Sequence, residues 1–338
     1  MGKVTSVEVA ERAGVSRSAV SRVFTPGASV SKSTAEKVRK AAAQLGYRPN
    51  VLARSLITGR SRIIGLVVAY LENQFYPEAI ERLSKALQAE GYHVLVFMAS
   101  NDHAATQTVI DELLDYQVDA IIAASVGLSS DLTKRCEGLG IPIVLFNRHQ
   151  YDERLTSVTS DNVAGGRKLA EFLIAGGHKR IAHIAGWEDA STQIDREAGF
   201  MAGLKEAGVS LFARGIGNFN FETAQNAARQ MFGTQERPDA VFVANDHMAF
   251  AVMDVLRFEL GLRVPEDVSV VGYDDVTLSH WPSYDLTTVR QPANRMVAAT
   301  VEALLARLSE EDEAPRRITL DGPLIIRGSA RKPESCTL

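Results

Sequence analysis

A chain of 338 residues, 46% apolar and 23% charged, has room for two or three domains and a sizeable buried core. Its two cysteines, Cys136 and Cys336, stand too far apart for a disulfide framework or a zinc cluster, which points to a reducing compartment; the longest apolar run, Ile63 to Leu71, falls far short of the roughly 20 residues of a membrane span, and the opening residues carry no apolar leader. The net charge of −4 hides an asymmetry: residues 1–62 hold twelve Lys and Arg against three acids, a balance of +9, so the remainder carries −13.

That division suggests a polyanion-binding head on an acidic body, against the plainer reading of a solvated basic surface. Thr5 and Glu8 have the spacing of a capping box, so a helix is expected to start there and to run to Ala13. Val7, Val9 and Ala10 form its apolar side, and Gly14 supplies the positive dihedral of a tight turn. Ser16 then caps a second helix that directs Val20 and Val23 inward. Two helices joined by so short a turn make a helix-turn-helix. A third helix is expected from Ser31 or Ser33, with Val38, Ala41, Ala42 and Leu45 as its buried stripe and Gly46 as its stop. The exposed face of the second helix presents Arg17, Ser18 and Arg22. Arginine reads guanine through two parallel hydrogen bonds, so Arg17 is the expected base reader. A three-helix protein-interaction domain is the competing reading.

Residues 49–62 are expected to be a hinge. Pro49 suits a helix entry, Asn50 a cap and Gly59 a stop, but isolated helices below about 12–15 residues are marginal in water. The helix is therefore expected to form only on DNA, where two copies bury Leu52 and Leu56 and wedge a leucine between base steps. The alternative is a passive linker.

The run Val4-Thr5-Ser6-Val7-Glu8-Val9-Ala10-Glu11-Arg12-Ala13-Gly14-Val15-Ser16, then Val20-Ser21-Arg22-Val23, then Leu45-Gly46-Tyr47-Arg48-Pro49-Asn50 and Ala53-Arg54-Ser55-Leu56, resembles the head and hinge of the LacI/GalR family of bacterial repressors. The similarity continues to about Arg327. It implies an N-terminal all-α helix-turn-helix head on an α/β two-lobed body, similar to periplasmic sugar-binding proteins, with parallel sheets and three chain crossings between lobes. The expected divisions are 1–48 for the head, 49–62 for the hinge and 63–327 for the body. Within the body, the first lobe takes about 63–158 and 293–320, and the second about 159–290; residues 328–338 are expected to be a disordered tail. The expected DNA contacts are Thr5, Ser6, Ser16, Arg17, Ser18, Ser21 and Arg22 in the head, and Asn50, Leu52, Ala53 and Leu56 in the hinge.

The body itself alternates short apolar runs with helical stretches, a pattern of parallel sheets covered by helices on both faces. Strands are expected at Ile64–Ala69, His93–Met98, Ala120–Ala124, Ile143–Phe146, Ile181–Ala185, Ala240–Ala244 and Val268–Gly272. Open parallel sheets bind ligands beyond the carboxyl ends of their strands. The polar and aromatic residues just past those ends are Asn73, Phe75, Tyr76, Asn147, Arg148, Asp161, Ser191, Arg196, Phe219, Asn245, Asp246 and Asp274, and they suit the flat faces and hydroxyls of a carbohydrate. By resemblance, effector contacts fall most securely on Arg196, Asn245, Asp274 and Phe219, then on Phe75 and Tyr76, and less so on Asp161, Thr192 and Gln291. Asp161 equally suits a helix cap. Asp275 reads as a surface or capping residue, and Trp281 and Tyr284 read as loop packing.

The purine-responsive member of the family has arginine where this chain has Ala190, which disfavours a nucleobase. Arg148 and Arg196 leave room for an anionic sugar beside a neutral one. Enzyme readings fare badly: there is no Gly-x-Gly-x-x-Gly after a strand, no phosphate loop and no His-Glu-x-x-His, and Ser160-Asp161-Asn162 lacks the Lys-Thr-Gly partner of a β-lactamase. The expectation is a cytoplasmic repressor without cofactor or metal. Its partners would be double-stranded palindromic operator DNA, a sugar or sugar acid, and a second copy of itself, with no membrane. Because the chain lacks a leucine-repeat tail, a dimer is expected rather than a tetramer.

Overall fold

A computed structural model describes residues 4–25, 28–48, 60–99, 103–152, 154–309 and 314–333. The chain divides into two compact units, a head of Met1–Arg62 and a body of Ile63–Leu338. The expected hinge residues Asn50, Leu52, Ala53 and Leu56 lie outside the described residues.

In the head, α1 (Ser6–Ala13), α2 (Arg17–Val23) and α3 (Lys32–Leu45) close on Val9, Ala10, Val20, Val38, Ala41 and Ala42. Thr5 and Glu8 form the full reciprocal box, with the Thr5 amide donating to Glu8 Oε2 at 2.6 Å. Gly14 caps α1 with φ 65°, in the left-handed region where a side chain would be strained. One detail differs from the sequence reading: Val7 is exposed rather than part of the apolar side. Of the two starts expected for α3, Ser31 is the cap, accepting from the Thr34 amide at 3.2 Å.

The body begins with β1 (Ile63–Val68), α4 (Phe75–Ala89), β2 (His93–Met98), α5 (His103–Asp115), β3 (Ala120–Ala124), α6 (Ser130–Gly138), β4 (Ile143–Phe146) and β5 (Thr156–Ser160). It continues with α7 (Asn162–Ala175), β6 (Ile181–Ala185), α8 (Ser191–Glu206), β7 (Ala213–Ile216), α9 (Phe221–Phe232), β8 (Ala240–Val243) and α10 (Asp246–Asp254), the last running into a π-helical turn, Val255–Glu259. The chain ends through β9 (Ser269–Asp274), β10 (Thr287–Arg290), α11 (Ala293–Leu308), β11 (Arg317–Leu320) and β12 (Leu324–Ile325). One sheet has the order β11-β5-β4-β3-β1-β2 and the other β12-β10-β9-β8-β6-β7. Every pairing is parallel except β10 with β12. The chain thus passes between sheets after β5, after β10 and after β11. Central strands β3, β4, β6, β8 and β9 are buried along their whole length, as strands covered on both faces must be. Among the described residues no helix is long and apolar enough to cross a membrane.

The expected strands are present within two residues at either end, but β5, β7, β10, β11 and β12 were not expected as strands. Thr156-Ser157-Val158-Thr159-Ser160 is polar, yet it is wholly buried because β4 and β11 flank it. The tail expected to be disordered from residue 328 is packed as far as it is described, to Pro333. Ser329 Oγ donates to the Val270 carbonyl at 2.6 Å and accepts from the Thr287 amide at 2.8 Å, and the Arg331 amide donates to Ser269 Oγ at 2.9 Å. Small side chains let this segment meet the backbones of β9 and β10 directly. A tail with little apolar content is held by hydrogen bonds that composition does not reveal.

Helices α7 and α8 touch backbone to backbone. A Cβ on Gly166 would lie 2.0 Å from the Arg196 carbonyl, and one on Gly199 would lie 1.9 Å from the Val163 carbonyl. This close approach sets Arg196 deep in the body. Gly199→Ala is expected to force the helices apart and cost about 1–3 kcal/mol in urea denaturation; unchanged stability would contradict the contact. Beneath the same helix, His183 is fully buried between Phe200 and Phe242, with Nδ1 on the Phe242 carbonyl at 2.9 Å. Burial lowers its pKa from 6.5 to about 4. The folded state therefore binds fewer protons than the unfolded chain between these values, so stability present above pH 6.5 falls by about 3 kcal/mol as the pH drops to 4. Urea denaturation across this range should show that loss reduced in His183→Gln; an identical pH dependence would contradict it.

Candidate functional site

The chain carries two candidate sites, one in each unit. On α2, residues 17, 18, 21 and 22 span an arc of roughly 140° at 100° per residue, opposite the inward Val20 and Val23. Arg17, Ser18, Ser21 and Arg22 are all exposed there, and Ser16 Oγ caps the helix through the Ala19 amide at 3.2 Å while lying 2.9 Å from Ser18 Oγ. Thr5 is exposed, though its hydroxyl is engaged with Glu8, and Ser6 is half-buried at the start of α1. The arrangement is a short cationic helix with free guanidinium-length reach, of the width that fits a DNA major groove.

In the body, the polar residues beyond the strand ends meet on one carboxylate. Asp274, the last residue of β9, is buried with φ 130°. Its Oδ1 accepts from Gln291 Nε2 at 2.7 Å and Arg196 Nη2 at 3.3 Å, and its Oδ2 accepts from Asn73 Nδ2 at 3.0 Å. Asn73 belongs to the first sheet's lobe, whereas Asp274, Arg196 and Gln291 belong to the second, so the hub joins both. Burial raises the Asp274 pKa, and the neighbouring Arg196 guanidinium opposes that rise. Arg196 is fixed on every side: Nε donates to Asn162 Oδ1 at 2.9 Å, Nη1 to the Ala244 carbonyl at 2.6 Å, and its plane lies 3.7 Å from the Tyr273 ring centre.

From this hub the contacts run outward through the first lobe. Asn73 Oδ1 accepts from the Phe75 amide at 3.1 Å; beside Phe75, the Tyr76 hydroxyl bonds Ser125 Oγ and accepts from Asn147 Nδ2 at 2.9 Å. Arg148 Nη1 donates to the Ser125 carbonyl at 2.9 Å, and its guanidinium sits 5.3 Å from the Trp187 ring and 5.9 Å from Phe219, both in the second lobe. Phe219 packs against Gly186, where a Cβ would fall 2.2 Å from its ring. Asn245 caps α10 by accepting from the Met248 amide at 3.0 Å. Four buried amide atoms on the residues of the hub and their chain neighbours have no hydrogen-bond partner: Gln74 Oε1, Asn147 Oδ1, Asn245 Nδ2 and Gln291 Oε1.

Of the expected effector residues, Asn73, Phe75, Tyr76, Asn147, Arg148, Arg196, Phe219, Asn245, Asp274 and Gln291 belong to this connected set. Thr192 is buried on the first turn of α8, between Ser191 and Gln193. Asp161 takes its capping alternative, accepting from the Ala164 amide at 2.9 Å at the start of α7. Asp275 is not a surface residue: its buried carboxylate accepts from Arg290 Nε and Arg327 Nη2 at 2.6 Å each, tying the end of β9 to β10 and to the segment after β12. Sequence reading missed Ser125, Asn162, Trp187 and the His149–Asp195 pair, which bridges the lobes at 2.9 Å. Ser125 follows β3 directly and was accessible to the rule that found the others; Asp195 depends on where α8 starts, at Ser191. Next to Asn245, fully buried Asp246 accepts from Thr288 Oγ1 and Ser279 Oγ at 2.6 Å each, and burial pushes its pKa up. No nucleophile faces a general base in this set. Its chemistry is reversible hydrogen bonding beside aromatic faces.

Comparison with known proteins matches each of the two units. A model of bacterial regulatory proteins of the lacI family matches residues 7–50, and one of the periplasmic binding protein-like domain matches residues 170–330. The HTH-type transcriptional repressor PurR of Vibrio vulnificus (strain CMCP6) is 33% identical over 331 residues, covering 97% of this chain and 99% of the relative. The lac repressor dimer bound to operator and the anti-inducer ONPF has a TM-score of 0.87 at 29% identity, covering 97% of this chain and 99% of the other. A complex of the transcriptional regulator CelR with cellobiose has a TM-score of 0.73 at 31% identity, covering 97% and 100%. With a helix-turn-helix head, a body of two parallel sheets and end-to-end similarity to repressors, the chain belongs to the LacI family of bacterial transcriptional regulators, whose members are not enzymes.

Proposed function

We propose that the protein is an operator-specific repressor that works as a homodimer, its affinity for double-stranded DNA set by a small carbohydrate in the interlobe site. The observation that carries this reading is the hub on Asp274, where side chains of both lobes meet on one buried carboxylate at the carboxyl ends of two parallel sheets. In this reading residues 1–48 read the operator through Arg17, Ser18, Ser21 and Arg22, residues 49–62 act as the hinge, and the body from residue 63 binds effector and partner. A ligand that replaces the direct Asn73–Asp274 bond changes the relation between the lobes. Linkage then requires effector and DNA to alter each other's affinity by the same factor, typically about 1–3 kcal/mol. The cellobiose bound by CelR supports a sugar. Ala190, buried before α8, stands where the purine-responsive member has arginine and weighs against a nucleobase despite the likeness to PurR.

Two exposed apolar features support the dimer. Phe258, 82% exposed on the π-helical turn, lies beside the loop of Trp281, 53% exposed, because the Arg257 guanidinium bonds the Ser283 carbonyl. In the first lobe, edge strand β2 leaves Val96 and Met98 nearly half exposed. Such faces on a soluble chain mark association surfaces.

In a gel-shift assay with operator and random duplex, Arg17→Ala is expected to reduce discrimination by about 5- to 150-fold, the 1–3 kcal/mol of a bidentate base contact, with little change in non-specific binding; equal loss on both DNAs would contradict its role as reader. Asp274→Ala is expected to retain operator binding but lose the effector response, and a normal response would move the site elsewhere. Sedimentation should give a dimer that dissociates in Phe258→Asp/Trp281→Asp; an unaffected dimer would exclude that face.

A further inference from the structure

We propose that His149 and Asp195 form a proton-sensitive latch between the lobes: a proton taken up by this pair on acidification holds the two lobes together more firmly. The latch is independent of what ligand the interlobe site takes.

His149 follows β4 in the first lobe, and Asp195 lies on the second turn of α8 in the second. The two segments are joined twice. The His149 amide donates to Ser191 Oγ at 3.0 Å, and His149 Nε2 lies 2.9 Å from Asp195 Oδ2. The backbone bond holds the imidazole against the start of α8, and the Tyr151 ring meets it edge-on with ring centres 5.9 Å apart. The His149 and Asp195 side chains are 14% and 26% exposed, so solvent screens the pair only in part. A carboxylate only accepts, so Nε2 carries the hydrogen in either charge state of the ring. A second proton, on Nδ1, turns that neutral donor into a charged one, and charge-assisted hydrogen bonds are roughly twice as strong.

The sign follows from which charges change distance when the lobes part. Arg148, Tyr151 and Arg317 belong to the first lobe and move with His149; Arg317 bonds the Gln150 carbonyl at 2.9 Å and lies over Tyr151. Asp152 moves with it too and is matched by Arg154. In the second lobe Arg196 is committed to Asp274, and Glu197 and Glu188 to Arg214. Asp189, exposed two residues before Ser191, has the same sign as Asp195. Asp195 is thus the full charge that closure places in contact with the ring. The partial positive charge at the start of α8, the loss of water around the ring and the partnerless Nδ1 oppose proton uptake. Each of these is partial or spread over several atoms, whereas Asp195 acts at hydrogen-bond distance. Joined lobes therefore bind the proton more tightly than parted lobes, and by linkage the proton favours the joined form. This contribution is present at low pH and lost as the pH rises through the range in which imidazoles titrate. The other histidine between the lobes, His247, lies 4.0 Å from Glu72, beyond hydrogen-bond length, and burial lowers its pKa against the pull of Glu72 and Asp274.

Hydrogen exchange on the full chain between about pH 8 and 6, with rates corrected for the exchange of unstructured peptides at each pH, reads the opening of this edge. The native protein is compared with Asp195→Asn, whose amide oxygen still accepts from Nε2 without a charge, and with His149→Gln, which can donate to Asp195 but does not titrate. Protonation of Asp274, whose carboxyl is pushed up by burial, acts in all three proteins alike. The informative quantity is therefore the protection of residues 147–152 and 189–195 in the native protein relative to each variant. That ratio is expected to rise about two- to fivefold from the higher pH to the lower, the range of a partly exposed ion pair, while β3 and β8 stay equally protected in all three. A ratio that stays constant or falls on acidification, against either variant with β3 and β8 intact, would overturn the latch.

Discussion

The body is organised around a buried carboxylate whose lost hydration must be replaced. A carboxylate as buried as that of Asp274 is tolerated only where opposite charge and hydrogen bonds replace its hydration. Arg196, Gln291 and Asn73 do this together, and each comes from a different part of the chain. Arg196 reaches the carboxylate because Gly166 and Gly199 let two helices touch. Gln291 reaches it because β10 runs parallel to β9 and ends beside it. Asn73 reaches it from the other lobe. Satisfying one buried anion therefore places side chains of both lobes in one network, and a ligand that competes for Asp274 or Asn73 acts on the relation between them.

The same logic separates the framework from the parts free to respond. Asp275, one residue on, is locked by two arginines from the second lobe's own elements and braces that lobe internally. Asp274 is instead shared across the lobes. Adjacent carboxylates thus hold a lobe together and connect it to its neighbour. The Arg148 guanidinium, seated against Trp187 and Phe219, is a second point at which the lobes meet, and His149 with Asp195 is a third. The hub and the Arg148 contact both lie at the carboxyl ends of the strands, close in the chain to the partnerless amide atoms of Asn147, Asn245 and Gln291, and it is there that a ligand is proposed to bind.

Much of this was readable from local chemistry. The capping box at Thr5, the left-handed turn at Gly14 and the stripe Val38, Ala41, Ala42 follow from short-range rules and appear as expected. Strands built of continuous Ile, Val and Ala were equally visible. What escaped were elements whose burial comes from neighbours rather than composition, such as β5 with its Thr and Ser side chains and the terminal segment around Ser329. The strand-end rule found Asn73, Asn147, Asn245 and Asp274. It offered the helix cap at Asp161 as an alternative, but it did not reveal that Asp275 would be buried or that His149 would find Asp195, because those outcomes depend on pairings between distant segments.

Hydrogen exchange followed by mass spectrometry, comparing the native protein with Asn73→Ala, tests the central claim most directly. If the Asp274 hub holds the lobes together, loss of the Asn73 amide should raise exchange several-fold in the segments where the lobes meet, residues 72–76 and 147–149 of the first lobe and 187–191 and 245–249 of the second, while the interiors of both sheets stay protected. Exchange in those segments equal to that of the native protein would show that the lobes are held by something else.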